Sequence, residues 1–177
     1  MSVNMSFVSS SIAADRLPEG ASQAVNGAAG TCRAGVVAPH GFGPMARIST
    51  AMGPVFAQTL REGDRVKTKS GEFLKIVAIK RVVLDSEFLN RHPEAMPITV
   101  NAGSFSRNVP SADMILAPNQ KFHKSQALMG FTCENATDAL KKPGVMRKAE
   151  SMITYTTFHC GQPAAVLCEG MWLDTAP

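Results

Sequence analysis

Four cysteines (Cys32, Cys133, Cys160, Cys168) and four histidines (His40, His92, His123, His159) hold most of the nucleophilic and acid–base potential of this 177-residue chain. A thiolate could attack a carbonyl or ligate a metal, and an imidazole could carry a proton near neutral pH. Their local spacing supports neither use. No Cys-x-x-Cys pair is present and no two histidines stand four apart, and the lone His92-Pro93-Glu94 has no cysteine or second histidine close by in the chain, so no local pattern preorganises a metal. His159 and Cys160 are neighbours on an alternating stretch, where adjacent side chains point to opposite faces. Cys32 has no adjacent histidine or basic cluster to lower its pKa and reads as an incidental thiol. No serine sits in a Gly-x-Ser-x-Gly elbow, and Gly41-Phe42-Gly43-Pro44 is no phosphate cradle, because a third glycine is missing and Pro44 lacks an N–H. No cofactor or metal is expected.

The elements that must position these residues follow from composition and pattern. Residues 1–40 contain eight Ala, six Ser and four Gly with only four charges, and read as a flexible leader ahead of a domain at 41–177. Beyond residue 45 the chain becomes short β-type runs separated by turn residues. Ala46–Thr50 and Val55–Leu60 read as a hairpin around Gly53-Pro54. Arg65–Thr68 pairs with a long run, Phe73–Leu84, across Lys69-Ser70-Gly71. Asp85–Arg91 reads as a short helix stopped ahead of Pro93. Ile98–Asn101, Met114–Leu116, Met152–Cys160 and Ala164–Cys168 read as strands, Ala136–Lys142 as a short helix, and Lys124–Met129 fits no single pattern. The class is mostly β.

With 45% hydrophobic and 18% charged residues the chain should fold, and a net charge of +4 is a small excess. Between Arg61 and Arg81 seven basic and three acidic residues alternate with apolar ones, and the single aromatic among them, Phe73, is too little to stack a run of bases, so they read as a solvated sheet face and not as a nucleic-acid surface. No apolar run reaches the roughly 20 residues that cross a bilayer, and the first residues lack a basic n-region, so the expectation is a cytoplasmic protein that binds neither membrane nor nucleic acid.

Several segments carry a family resemblance. Ala46-Arg47-Ile48-Ser49-Thr50 with Gly53-Pro54-Val55, and then Leu60-Arg61-Glu62-Gly63-Asp64-Arg65-Val66-Lys67-Thr68, resemble the opening of bacterial Hint (hedgehog/intein) domains, which runs Cys-Phe-x-x-Gly-Thr-Arg-Ile, a hairpin, then Leu-x-x-Gly-Asp-x-Val. Pro97–Phe105, and Asp113-Met114-Ile115-Leu116-Ala117-Pro118-Asn119-Gln120-Lys121, resemble the family's next strand and its Asp-Leu-Leu-Val-Ser-Pro-Gln-His-Arg block. Tyr155–Trp172 resembles the closing block. The resemblance spans about residues 41–175. It implies a flattened, horseshoe-like fold of short, twisted antiparallel strands with one or two short helices.

It also implies self-cleavage, in which the first cysteine attacks the preceding carbonyl and a histidine protonates the leaving amine. This chain departs from that pattern where the chemistry lies. Counting six residues back from Arg47 places Gly41 at the nucleophile, Ala117 replaces the hydroxyl residue, and Gln120 replaces the histidine. Glutamine can hydrogen-bond but is no acid near pH 7. Asp174-Thr175-Ala176-Pro177 lacks the terminal asparagine of splicing domains. The implied reading is a Hint-like domain without catalytic residues, whose remnant cleft holds Gly41, Ala117 and Gln120, with Asp113 and His159 as further candidates, and which serves as a binding or assembly module for a protein partner. The alternative is residual self-cleavage near His40-Gly41. Cys32 lies too far back to stand in, and His123, three residues past Gln120, is expected to face the opposite side of its strand.

Overall fold

The computed structural model describes residues 39–126 and 130–175. The expected leader, with Cys32, lies almost entirely outside the described residues. Thirteen strands dominate them, joined by one short α-helix and three 3-10 segments.

β1 (Arg47–Thr50) and β2 (Gly53–Phe56) form the expected hairpin, with Thr50 opposite Gly53 and the Thr50 hydroxyl donating to the Gly53 carbonyl at 2.6 Å. Residues 57–59 turn into a 3-10 helix, so the second arm is shorter than the run Val55–Leu60 suggests. β3 (Arg65–Lys67) pairs with β4 (Phe73–Lys75). The run Phe73–Leu84 is not one strand. It breaks at Ile76-Val77, where the Ile76 amide still bonds Asp64 but the Val77 amide bonds His159, and β5 (Ala78–Asp85) continues in another sheet. Burial explains the crossing, since Ile76 is fully buried and draws the chain through the interior.

The α-helix, α1 (Ser86–Arg91), starts where Asp85 accepts from the Phe88 amide at 2.9 Å and ends at His92 before Pro93. β6 (Ile98–Val100), β7 (Met114–Leu116) and β10 (Val145–Arg147) make a three-stranded sheet. β8 (Lys121–Gln126) and β9 (Gly130–Asn135) form a hairpin, and residues 136–141 are a 3-10 helix with a reciprocal Asn135–Asp138 cap. β11 (Met152–His159) pairs along its length with β5. β12 (Ala165–Cys168) and β13 (Met171–Asp174) close the large sheet, whose order is β4-β3-β1-β12-β13-β8-β9, with β2 also on β1.

All named strand pairs are antiparallel, as the sequence led one to expect. Phe42, Ile48, Leu60, Leu116, Phe122 and Phe158 anchor the main core, with the Phe42 and Phe158 rings stacked at 5.4 Å. A smaller core gathers Leu84, Leu89 and Tyr155, whose hydroxyl donates to the Ala95 carbonyl at 3.2 Å. No described helix is long and apolar enough to cross a membrane.

Candidate functional site

Residues 41–43 run extended between β7 and β11 and bond to both. Phe42 exchanges two 2.9 Å hydrogen bonds with Thr156. The Gly43 amide donates to Ile115 at 2.8 Å, and the Ala117 amide donates to Gly41 at 3.0 Å. Packing Phe42 into the core while bonding both flanks presses the backbone at its neighbours close to adjacent chain. At Gly41, where φ is +134°, a Cβ would lie 2.8 Å from Thr157 Cγ2 and 2.9 Å from the Thr156 carbonyl oxygen. Glycine is the residue that tolerates both the angle and the crowding.

Gln120 meets Gly41 from the other side. It sits in the turn between β7 and β8, buried to 2% exposure. Its Oε1 accepts from the Gly41 amide at 3.0 Å, while its Nε2 donates to the carbonyls of Asp174 (2.8 Å) and Lys121 (3.1 Å). All three bonds go to backbone groups, which ties the segment before β1, the start of β8 and the end of β13 to one side chain.

Beside this junction opens a cleft of about 600 Å³, lined by His40, Gln120, Lys121, His123, Asp174 and Thr175 among others. Partial desolvation at the rim, and then the charge of Lys80, hold the His40 pKa below its ordinary value. His123 Nε2 is 2.6 Å from Asp174 Oδ1, its Nδ1 is 3.4 Å from Lys69 Nζ, and the Cys133 thiol donates to Asp174 Oδ2 at 3.6 Å. Desolvation first, then the charge of Asp174 and its hydrogen bond, push the Cys133 thiol up, so it stays protonated at neutral pH.

The structure thus brings Gly41, Ala117 and Gln120 together. It does not bring Asp113 or His159 to them: Asp113 accepts from the Ala102 amide at 2.7 Å, and His159 Nδ1 accepts from the Gly161 amide at 3.2 Å in the turn after β11. His123 departs from expectation. It lines the same cleft as Gln120, because Gln120 lies in the turn ahead of β8 and strand alternation does not begin until Lys121.

Residues 40–176 match the profile of the Hint domain family. This chain belongs to the Hint family. In the structure the residue six before Arg47, Gly41, bonds to Ala117 and Gln120, just past β7. Its fold is similar to that of an AceL NrdHF class 3 split intein, solved as a GSH-linked, splice-inactive variant (TM-score 0.51, 12% identity, covering 78% of this chain and 99% of that one). It also resembles the MchDnaB-1 intein (TM-score 0.48, 8% identity, 76% and 99%) and the gp41-1 intein (TM-score 0.49, 9% identity, 78% and 99%). No curated protein sequence matches it.

Sequence reasoning missed the cluster of His123, Cys133 and Asp174, whose ligand-capable atoms all lie within 4.8 Å of one another. No local spacing could have found it, since each residue comes from a different strand.

Proposed function

We propose that this Hint domain does not cut its own chain and acts as a binding module through the cleft beside Gly41. The single observation that carries the reading is the crowding at Gly41. An acyl shift needs a nucleophilic side chain there, and even a bare Cβ would meet Thr157 Cγ2 at 2.8 Å and a backbone oxygen at 2.9 Å. The backbone is shaped around a missing side chain, a stronger condition than simple loss of the thiol.

The hydrogen bond from Gly41 to Gln120 works in the same direction. Cleavage requires a proton to be delivered to the nitrogen of the His40–Gly41 bond, which must leave as an amine. Gln120 presents an acceptor to that N–H and so favours amide resonance, the opposite of protonating the nitrogen. Ala117, fully buried, adds no hydroxyl.

What remains is a concave surface with donors and acceptors at one edge and apolar Pro163, Ala164 and Ala165 at the other. That mixture suits a peptide segment of a protein partner. The test is to incubate the purified full-length chain with a thiol or with hydroxylamine and weigh it intact. A single unchanged mass is expected. Fragments split at His40–Gly41 would overturn the proposal in favour of self-cleavage.

A further inference from the structure

We infer that His123 Nε2, Cys133 Sγ and the Asp174 carboxylate form a zinc-binding site on the exposed face of the large sheet, at the margin of the cleft. The sheet register builds it. His123 on β8 is directly opposite Cys133 on β9, and on its other side it is opposite Trp172 on β13. Asp174 lies two residues beyond Trp172 and so shares its face, diagonal to His123. Burial agrees: Met171 and Leu173 point into the core, whereas Trp172 and Asp174 alternate outward. Three potential ligands therefore converge on paired strands, a more rigid support than loops.

The donor set selects the metal. One imidazole nitrogen, one thiol sulfur and one carboxylate suit zinc, whereas calcium and magnesium call for oxygen ligands alone. Bonds of about 2.0–2.3 Å in tetrahedral array place ligand atoms roughly 3.3–3.8 Å apart. The 3.6 Å from Cys133 Sγ to Asp174 Oδ2 already falls in that range, and the 2.6 Å contact of His123 with Asp174 opens slightly to admit the ion. Three protein ligands leave a fourth position, and because His123 and Asp174 both line the cleft, that position is accessible to water or to a donor atom of a bound partner.

The proton balance is simple. Cys133 gives up its thiol proton to solvent on forming the Zn–S bond, and His123 binds through Nε2 with its ring proton on Nδ1. The nearby Lys69 ammonium then turns from Nδ1, where it no longer finds an acceptor. Thiolate and carboxylate together cancel the charge of the ion.

The site is tested on untagged full-length protein, reduced with a non-thiol reductant, by titration with cobalt(II) and back-titration with zinc. Expected are one equivalent of bound cobalt, a thiolate-to-cobalt charge-transfer band with tetrahedral ligand-field bands, and their loss when zinc displaces cobalt. Cys133→Ser removes the charge-transfer band, and His123→Gln and Asp174→Asn each weaken zinc binding by about tenfold or more. Cys32→Ser and Cys160→Ser leave the band unchanged. Circular dichroism verifies that each variant is folded, and the His123 and Asp174 variants keep the test valid should Cys133→Ser unfold. Absence of the band at stoichiometric cobalt, or its survival in folded Cys133→Ser, would overturn the assignment. Metal binding is read independently of self-cleavage, so either conclusion can fail alone.

Discussion

The amide of Gly41 and the side-chain oxygen of Gln120, 79 positions apart in the chain, meet at 3.0 Å where the buried segment before β1 passes the turn between β7 and β8. Because Gln120 also donates to Asp174 and Lys121, Gln120→Ala leaves three backbone groups without their partner. A loss of about 1–3 kcal/mol is expected in urea denaturation. Gln120→Glu keeps the acceptor but, once ionised, cannot donate to either carbonyl, so its deficit should deepen as pH rises.

Restoring a cysteine at the head of the domain should harm folding without reviving chemistry. Gly41→Cys forces a Cβ against Thr156 and Thr157 at a backbone angle of +134°, and a cost of about 1–3 kcal/mol is expected. Adding Thr157→Ala removes one collision but not the one with the Thr156 backbone oxygen, so stability should return only in part. Thermal melts and intact mass measure the two outcomes.

Glu169 joins β12 to β1 through Arg47, with Nε at 2.5 Å and a second guanidinium nitrogen at 3.0 Å, and through the Ser111 hydroxyl. Burial pushes its carboxyl up, but the hydrogen bonds from Arg47 and Ser111 and the charge of Arg47 outweigh this and hold it below the ordinary carboxylate value of 4.5. The unfolded chain therefore takes up the proton first as pH falls. Stability from this group is complete above the ordinary value and is lost as pH drops through the folded one. Wild type should exceed Glu169→Gln in melting temperature at neutral pH, and the gap should close in acid. A constant gap would show that the pair contributes no linked proton.

The described cysteines should react in order of exposure. Cys133 is exposed, Cys160 half-buried and Cys168 fully buried, where burial first, and then the charge of Glu169, push its thiol far up. Peptide mapping after timed alkylation should find Cys133 labelled first and Cys168 only after denaturant. Early labelling of Cys168 would contradict its packing as a small apolar side chain.

Much of this arrangement was legible in the sequence where a residue type carries a local rule. Asp85 caps a helix, Pro93 forbids its continuation, and the alternation in Arg65–Lys67 and Met152–His159 marks strands. The break at Ile76-Val77 was not legible, because no glycine or proline interrupts the β-branched run and only the tertiary core pulls it apart. The partnership of Gly41 with Gln120 could be placed by register, but the crowding around Gly41 depends on Thr156 and Thr157, which come from far along the chain. Alternation counted from Gln120, which lies in a turn ahead of β8, puts His123 on the wrong side of its strand. The grouping of His123, Cys133 and Asp174 depends on strand order, which local spacing does not encode.

The Arg47–Glu169 pair spans 122 residues, and next to it β1 pairs with β12, Ile48 opposite Cys168. During translation, then, β1 leaves the ribosome long before β12 has been made, and while Thr50 can pair early with Val66 of β3, the stretch of that edge at Ile48 must wait. Non-local pairing of this kind slows folding and lengthens the time during which that edge is open to aggregation. A premature stop codon ahead of residue 165 would release a nascent chain whose opening hairpin never acquires that neighbour, a product for chaperones and proteases to clear.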